Sequence, residues 1–240
     1  MRAWAVVLVA ALLASGHRAR AQGNQDSLEA QLNANCPGLN DSTAAWRQVL
    51  RRWHDDSTHP SWSNDSLRRV LLVMQDSDQG IRFLYTAHES DTVLARRMRD
   101  IDTANDRRME AIIARYGWPS RSLVGAKGES AAWVIVQHAD SSLQARGLKL
   151  MLAAPAGEVS KTEVAYLTDR LRVKAHQPQL YGTQFDPLPD SGWVLHPIED
   201  EAHVEARRAR VGIEPLDEYL CTMRVLERTR VLRHAPGRAQ

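Results

Sequence analysis

The chain has 240 residues and a mass of 27.0 kDa, with 43% hydrophobic and 25% charged residues, a composition able to bury one globular core. Its formal charge of +2 comes from the N-terminus: Arg2, Arg18 and Arg20 stand there without an acid, and the remainder carries about −1. No basic patch interleaved with aromatic residues follows, so nucleic acid is not an expected partner.

Arg2 precedes an apolar run from Ala3 to Ala14, and Ala19-Arg20-Ala21 is a small-x-small cleavage pattern before Gln22. This is the anatomy of a secretory signal peptide over residues 1–21. The run is too short for a transmembrane helix, and no later stretch approaches the ~18 apolar residues of a span. No cysteine closely follows it, so a lipoprotein anchor is not expected. The expected product is soluble, periplasmic or secreted, with no stable membrane insertion after signal removal. Cys36 and Cys221 are the two cysteines. Export permits a disulfide between them, tying an N-terminal arm to the last helix; the alternative is two separate buried thiols.

Residues 22–63 read as that arm, with a Cys-Pro-Gly turn and one helix from about Thr43 to Trp53 behind Asp41-Ser42. Residues 64–233 read as a helical domain, and 234–240 as a tail. Asn64 or Asp65 caps a helix whose inward stripe is Leu67, Leu71, Met74, Asp78, Ile81 and Tyr85. A second stripe, Leu94, Met98, Ile101, Asn105, Met109, Ile112 and Tyr116, ends at Gly117-Trp118-Pro119. A turn through Gly125 and Gly128 leads into Ser130–Ala145, whose Ala131–Val136 run is apolar all round and is expected at the centre of the domain. Leu148–Ala154 continues helically, and Val164, Leu167 and Leu171 face inward on a helix that carries Asp169-Arg170. Residues 177–198 are rich in proline and read as a long irregular connection. Two closing helices follow, Glu199–Val211 and Pro215–Leu232, with Gly212 between them as a C-cap. No alternating strand pattern exceeds four residues. The fold class is all-α, a compact bundle of seven or eight helices.

The ordered strings Met74-Gln75-x-x-Asp78-Gln79-x-x-Arg82, Tyr116-Gly117-Trp118-Pro119, Gln137-His138-Ala139-Asp140, Asp169-Arg170, Gln179-x-Tyr181-Gly182-Thr183-Gln184 and Arg207-Arg208-x-x-x-Gly212 resemble a bacterial family catalogued only as a domain of unknown function. Its most recognisable string is Tyr-Gly-Thr-Gln. The resemblance spans about Leu67 to Tyr219 and implies no activity, only that these positions recur together. At His176 the family pattern calls for a glycine.

Three inward stripes each carry one polar residue, Asp78, Asn105 and His138, and a fourth helix brings Arg170. Buried polar groups cost about 1–3 kcal/mol each when unpaired, so these residues are expected to find one another. Asp78 and Arg82, four apart, also form a candidate rim salt bridge. As an enzyme site, His138 is the general base, oriented by Asp78 or Asp169, with Arg170 holding an anion and Tyr181, Thr183 and Gln184 positioning substrate. As a binding site or a structural network, the same residues hold a small ligand or peptide, or pin the Tyr181 loop. An interaction domain instead predicts an exposed apolar patch near Phe185 or Trp193.

There is no Gly-x-Ser-x-Gly elbow, catalytic cysteine or phosphate-binding glycine loop. The nine histidines lack the zinc spacing, so no metal or cofactor site is expected beyond adventitious binding at His54, Asp55, Asp56 and His59.

Overall fold

The computed structural model describes residues 31–32, 34–36, 61–189, 192–227 and 229–234. The expected signal peptide, the helix from Thr43 to Trp53 and the His54–His59 cluster lie outside the described residues. Two compact units divide the chain: Arg52–Leu167, and Met1–Arg51 together with Thr168–Gln240. The division falls inside the span 64–233 that the sequence reads as one domain.

In the unit formed by Arg52–Leu167, helix α1 spans Asp65–Ala87. Asn64 is its cap: the Asn64 carboxamide oxygen accepts the Leu67 N–H at 2.9 Å, satisfying a donor that the first turn leaves unpaired. Leu67, Leu71, Met74, Asp78 and Ile81 are buried, as the stripe predicts, and Arg82 joins them. Helix α2 spans Thr92–Tyr116, capped by Asp91 and ended by Gly117, with Asn105, Met109, Ile112 and Ile113 buried.

Helix α3, Arg121–His138, is buried on all sides over Ala131–Gln137 and packs against both α1 and α2. An element without a polar face has to occupy the middle of its unit. It begins earlier than the glycines imply. Gly125 (φ +74°) kinks the helix instead of preceding it, a backbone angle that residues with a Cβ rarely adopt. Helix α4, Ser141–Ala153, is separate from α3 because Asp140 takes the Leu143 N–H at 2.8 Å and starts a new helix. The Gln144 amide clamps this corner by donating to the carbonyls of Gln137 and Ala139. Helix α5, Lys161–Lys174, starts in this unit, where the Trp133 indole donates to the Glu163 carbonyl at 3.0 Å.

The unit containing Thr168–Gln240 is built on a small sheet. Strand β1 (Phe185–Pro187) pairs antiparallel with β2 (Trp193–Leu195), which pairs parallel with β3 (Val231–Leu232). The connection over 177–198 is therefore not wholly irregular, and the last helix does not reach Leu232. Between the strands come a 3-10 turn (Glu201–His203), α6 (Val204–Val211) and α7 (Leu216–Glu227). Gly212 ends α6 in the left-handed region, as its place in the sequence predicts. Phe185, Trp193, Leu195, Val204, Leu216, Tyr219, Leu220, Met223 and Val231 form the core. Phe185 and Trp193 thus belong to an interior, and they supply no exposed apolar patch of the kind an interaction domain predicts.

Cys36 and Cys221 are joined by a disulfide with Cα atoms 5.9 Å apart, and Leu32 and Cys36 pack on Cys221 and Val225. The fold is mostly helical, as the periodicities predict. No helix among the described residues is long and apolar enough to cross a membrane.

Candidate functional site

His138 ends α3, and its side chain is 3% exposed. The imidazole Nδ1 lies 3.0 and 2.8 Å from the two carboxylate oxygens of Asp78, the polar member of the α1 stripe. Asp78 is itself fixed. The Gln79 amide donates to its Oδ2 at 2.7 Å, and the Arg82 guanidinium stands 3.5 Å from its Oδ1. Arg82 also donates to Asp102 of α2 at 2.8 Å. A chain of polar contacts thus runs from buried His138 and Asp78, through buried Arg82, to Asp102, which is 26% exposed. Burial raises the Asp102 pKa, against the opposing pull of Arg82. The spacing of Asp78 and Arg82 suggests a pair at the rim, but Arg82 is only 5% exposed, so their ion pair is interior.

Asp106, on the same helix as Asp102, accepts the Asp140 backbone N–H, and burial raises its pKa. An imidazole whose Nδ1–H is given to a carboxylate presents Nε2 as its acceptor in the neutral form. The carboxylate thereby fixes the tautomer and the ring plane of His138.

The other unit holds a second polar network. Asp169, fully buried on α5, accepts the N–H groups of Leu180 (2.7 Å), Tyr181 (3.1 Å) and Thr183 (3.2 Å), and the Thr183 hydroxyl at 3.0 Å. Gln179 accepts the N–H groups of Thr183 and Gln184 and donates to the carbonyls of Gln184 and His196. The carbonyls of Leu180 and Tyr181 are taken by Arg207 and Arg208, and that of Thr183 by the Tyr219 hydroxyl. Gly182 has φ +73°, and a Cβ there would lie 2.9 Å from Ile198 and 3.0 Å from Leu216. Tyr-Gly-Thr-Gln is thus a loop whose backbone is held by side chains, with glycine at the position that has no room for more. Burial raises the Asp169 pKa against its hydrogen bonds, and burial, then Asp169, raises that of the Tyr181 phenol.

Of the residues singled out from sequence, the structure brings Asp78 to His138, and Asp169 to Tyr181 and Thr183. These two associations belong to different units. Of the two carboxylates expected to orient His138, Asp78 does so, whereas both oxygens of Asp169 serve the loop. Gln184 donates to the carbonyl and hydroxyl of Thr183, and Arg170 is half-buried on α5. Sequence reasoning named Gln179 and Arg208 only as members of recurring strings and gave them no role, because the loop atoms they hold are backbone atoms, which no side-chain pattern announces. A depression of about 440 Å³ beside the disulfide is lined by Gln31, Asn35, Cys221, Arg224 and Val225, and not by His138. Among the described residues no three His, Cys, Asp or Glu side chains gather as metal ligands would.

No curated protein and no solved structure matches the chain. A family of unknown function, DUF6624, matches over residues 65–233, which takes in both the His138 and the Asp169 networks, and the chain belongs to that family.

Proposed function

We propose that this protein is an exported helical domain that binds a small polar ligand at the polar residues around His138 and Asp78. The observation that carries this reading is the hold of Asp78 on Nδ1 at 2.8 Å, itself braced by Gln79 and Arg82. Such bracing fixes the tautomer and the ring plane, which a merely space-filling histidine does not need. The same geometry supports a second reading, a hydrolase-type enzyme with His138 as general base, which further requires a nucleophile or an activated water. The leader-like N-terminus supports export, and the Cys36–Cys221 disulfide fits an oxidising compartment.

The test is a thermal-shift screen of amino acids, sugars and small carboxylates on the wild type and on His138→Gln, because specific binding raises apparent stability. A compound class that stabilises the wild type and leaves the variant unmoved supports the reading. Ligands that stabilise both proteins equally overturn it. Export is checked by mass spectrometry of the expressed protein: a chain beginning at Gln22 is expected, and an intact Met1 on the cytosolic product counts against it.

A further inference from the structure

In the unit formed by Arg52–Leu167, α3 and α5 bring two further carboxyl groups into the interior. Glu129 lies on α3 with no exposed surface, and Glu163 lies in the first turn of α5 at 4% exposure. The Trp118 indole donates to Glu129 Oε1 at 3.0 Å. Among the described residues, Glu129 Oε2 and both carboxyl oxygens of Glu163 are buried without a well-aligned protein donor. The cation whose charge reaches both is Arg121, 4% exposed, at the start of α3. Around them, Ser130 faces Glu163 from α3, and Ser160 caps α5 by accepting the Glu163 N–H. From α1, Arg68 is bonded to the Val124 carbonyl, and Glu158 is spent on Ser122.

Two carboxylates against one guanidinium leave an uncompensated negative charge in a dry interior, which is unfavourable. One proton makes the group neutral and lets one acid donate to the other. Glu163 is the better anion, since the N-terminus of a helix favours negative charge, and Glu129 Oε2 is then the hydroxyl. We propose that Glu129 and Glu163 form a one-proton site, filled in the folded protein at neutral pH, that makes the seating of the first turn of α5 on α3 depend on the pH of the surroundings. Burial pushes both groups up, Glu129 well above the usual carboxylate range and Glu163 to about 7. The folded protein therefore holds a proton that the unfolded chain has released. Stability is full below the unfolded value of 4.5 and is lost as pH rises through the raised folded-state range of the pair.

The experiment compares the full chain with Glu129→Gln, in which the carboxamide keeps a donor for Glu163, both in a Glu214→Gln background that removes another buried acid. The folding equilibrium is measured by urea denaturation from pH 5 to 8, and the protonated-carboxyl carbonyl stretch by infrared spectroscopy at pH 7. The parent is expected to lose up to about tenfold in folding constant per pH unit, and Glu129→Gln to lose that dependence and the infrared band. Equal pH slopes in the two proteins overturn the proposal. Should Glu129→Gln not fold, the infrared band of the parent decides: its absence at pH 6 overturns the proposal equally.

Discussion

Asp169 Oδ2 accepts both the backbone N–H and the hydroxyl of Thr183, at 3.2 and 3.0 Å, so one carboxylate oxygen fixes the residue twice. With Oδ1 on Leu180 and Tyr181, the side chain replaces the acceptors that a strand or helix would have supplied to this loop. Asp169→Ala leaves the part-buried N–H groups of Leu180 and Tyr181 and the Thr183 hydroxyl without this acceptor and is expected to cost about 3 kcal/mol, against about 1 kcal/mol for Thr183→Val. Urea denaturation of both variants checks the ratio. A loss below about 0.5 kcal/mol for Asp169→Ala contradicts the role assigned to it.

Asp78→Ala removes the carboxylate on which both His138 and Arg82 lean. Arg82 keeps its 2.8 Å bond to Asp102, so the cost is that of the acceptor lost to buried His138 and Arg82, about 1–3 kcal/mol. The variant is expected to melt well below the wild type, as followed by circular dichroism, and Asp78→Asn to fall between the two. A wild-type melting curve for Asp78→Ala rejects the interior ion pair.

Glu214, 5% exposed, has its pKa raised to about 7 by burial, with Arg208 opposing. Because the folded form binds a proton that the unfolded chain releases above the ordinary value of 4.5, its contribution is full below 4.5 and is lost as pH rises through about 7. Over that window the group lowers stability by up to about 1.4 kcal/mol per pH unit. Glu214→Gln is expected to flatten the stability profile between pH 5 and 7 in denaturant titrations, and an unchanged profile rejects the assignment.

His176 sits at φ +57°, in the left-handed region that favours glycine. The loop keeps its conformation with the histidine in place, at a local backbone cost of about 1 kcal/mol or more. His176→Gly is expected to raise stability by about 1 kcal/mol, less the extra freedom glycine gains when unfolded. A shift of the melting temperature downward contradicts this.

The helical stripes are legible in the sequence because burial leaves a periodic trace, and Asp78 stands out as a carboxylate inside one. His138 is legible for the same reason, although nothing in the sequence ties it to a partner 60 residues away. The three-residue strands carry too short an alternation to register. Glu129 follows Gly128, which reads as a turn, and Glu163 occupies a first helical turn, where an acid reads as a solvated capping charge. Burial of both depends on how α3 and α5 pack, which no local pattern encodes.

The disulfide joins a residue outside the family's span to one inside it, since the match runs over residues 65–233 and Cys36 precedes it. Cys221 alone belongs to the shared domain. A protein trimmed to the family's limits would carry that cysteine as a partly exposed, single thiol and, in air, would be expected to cross-link pairs of molecules through it. Work on the isolated domain therefore calls for Cys221→Ser, or for keeping the chain from at least Gln31 onward.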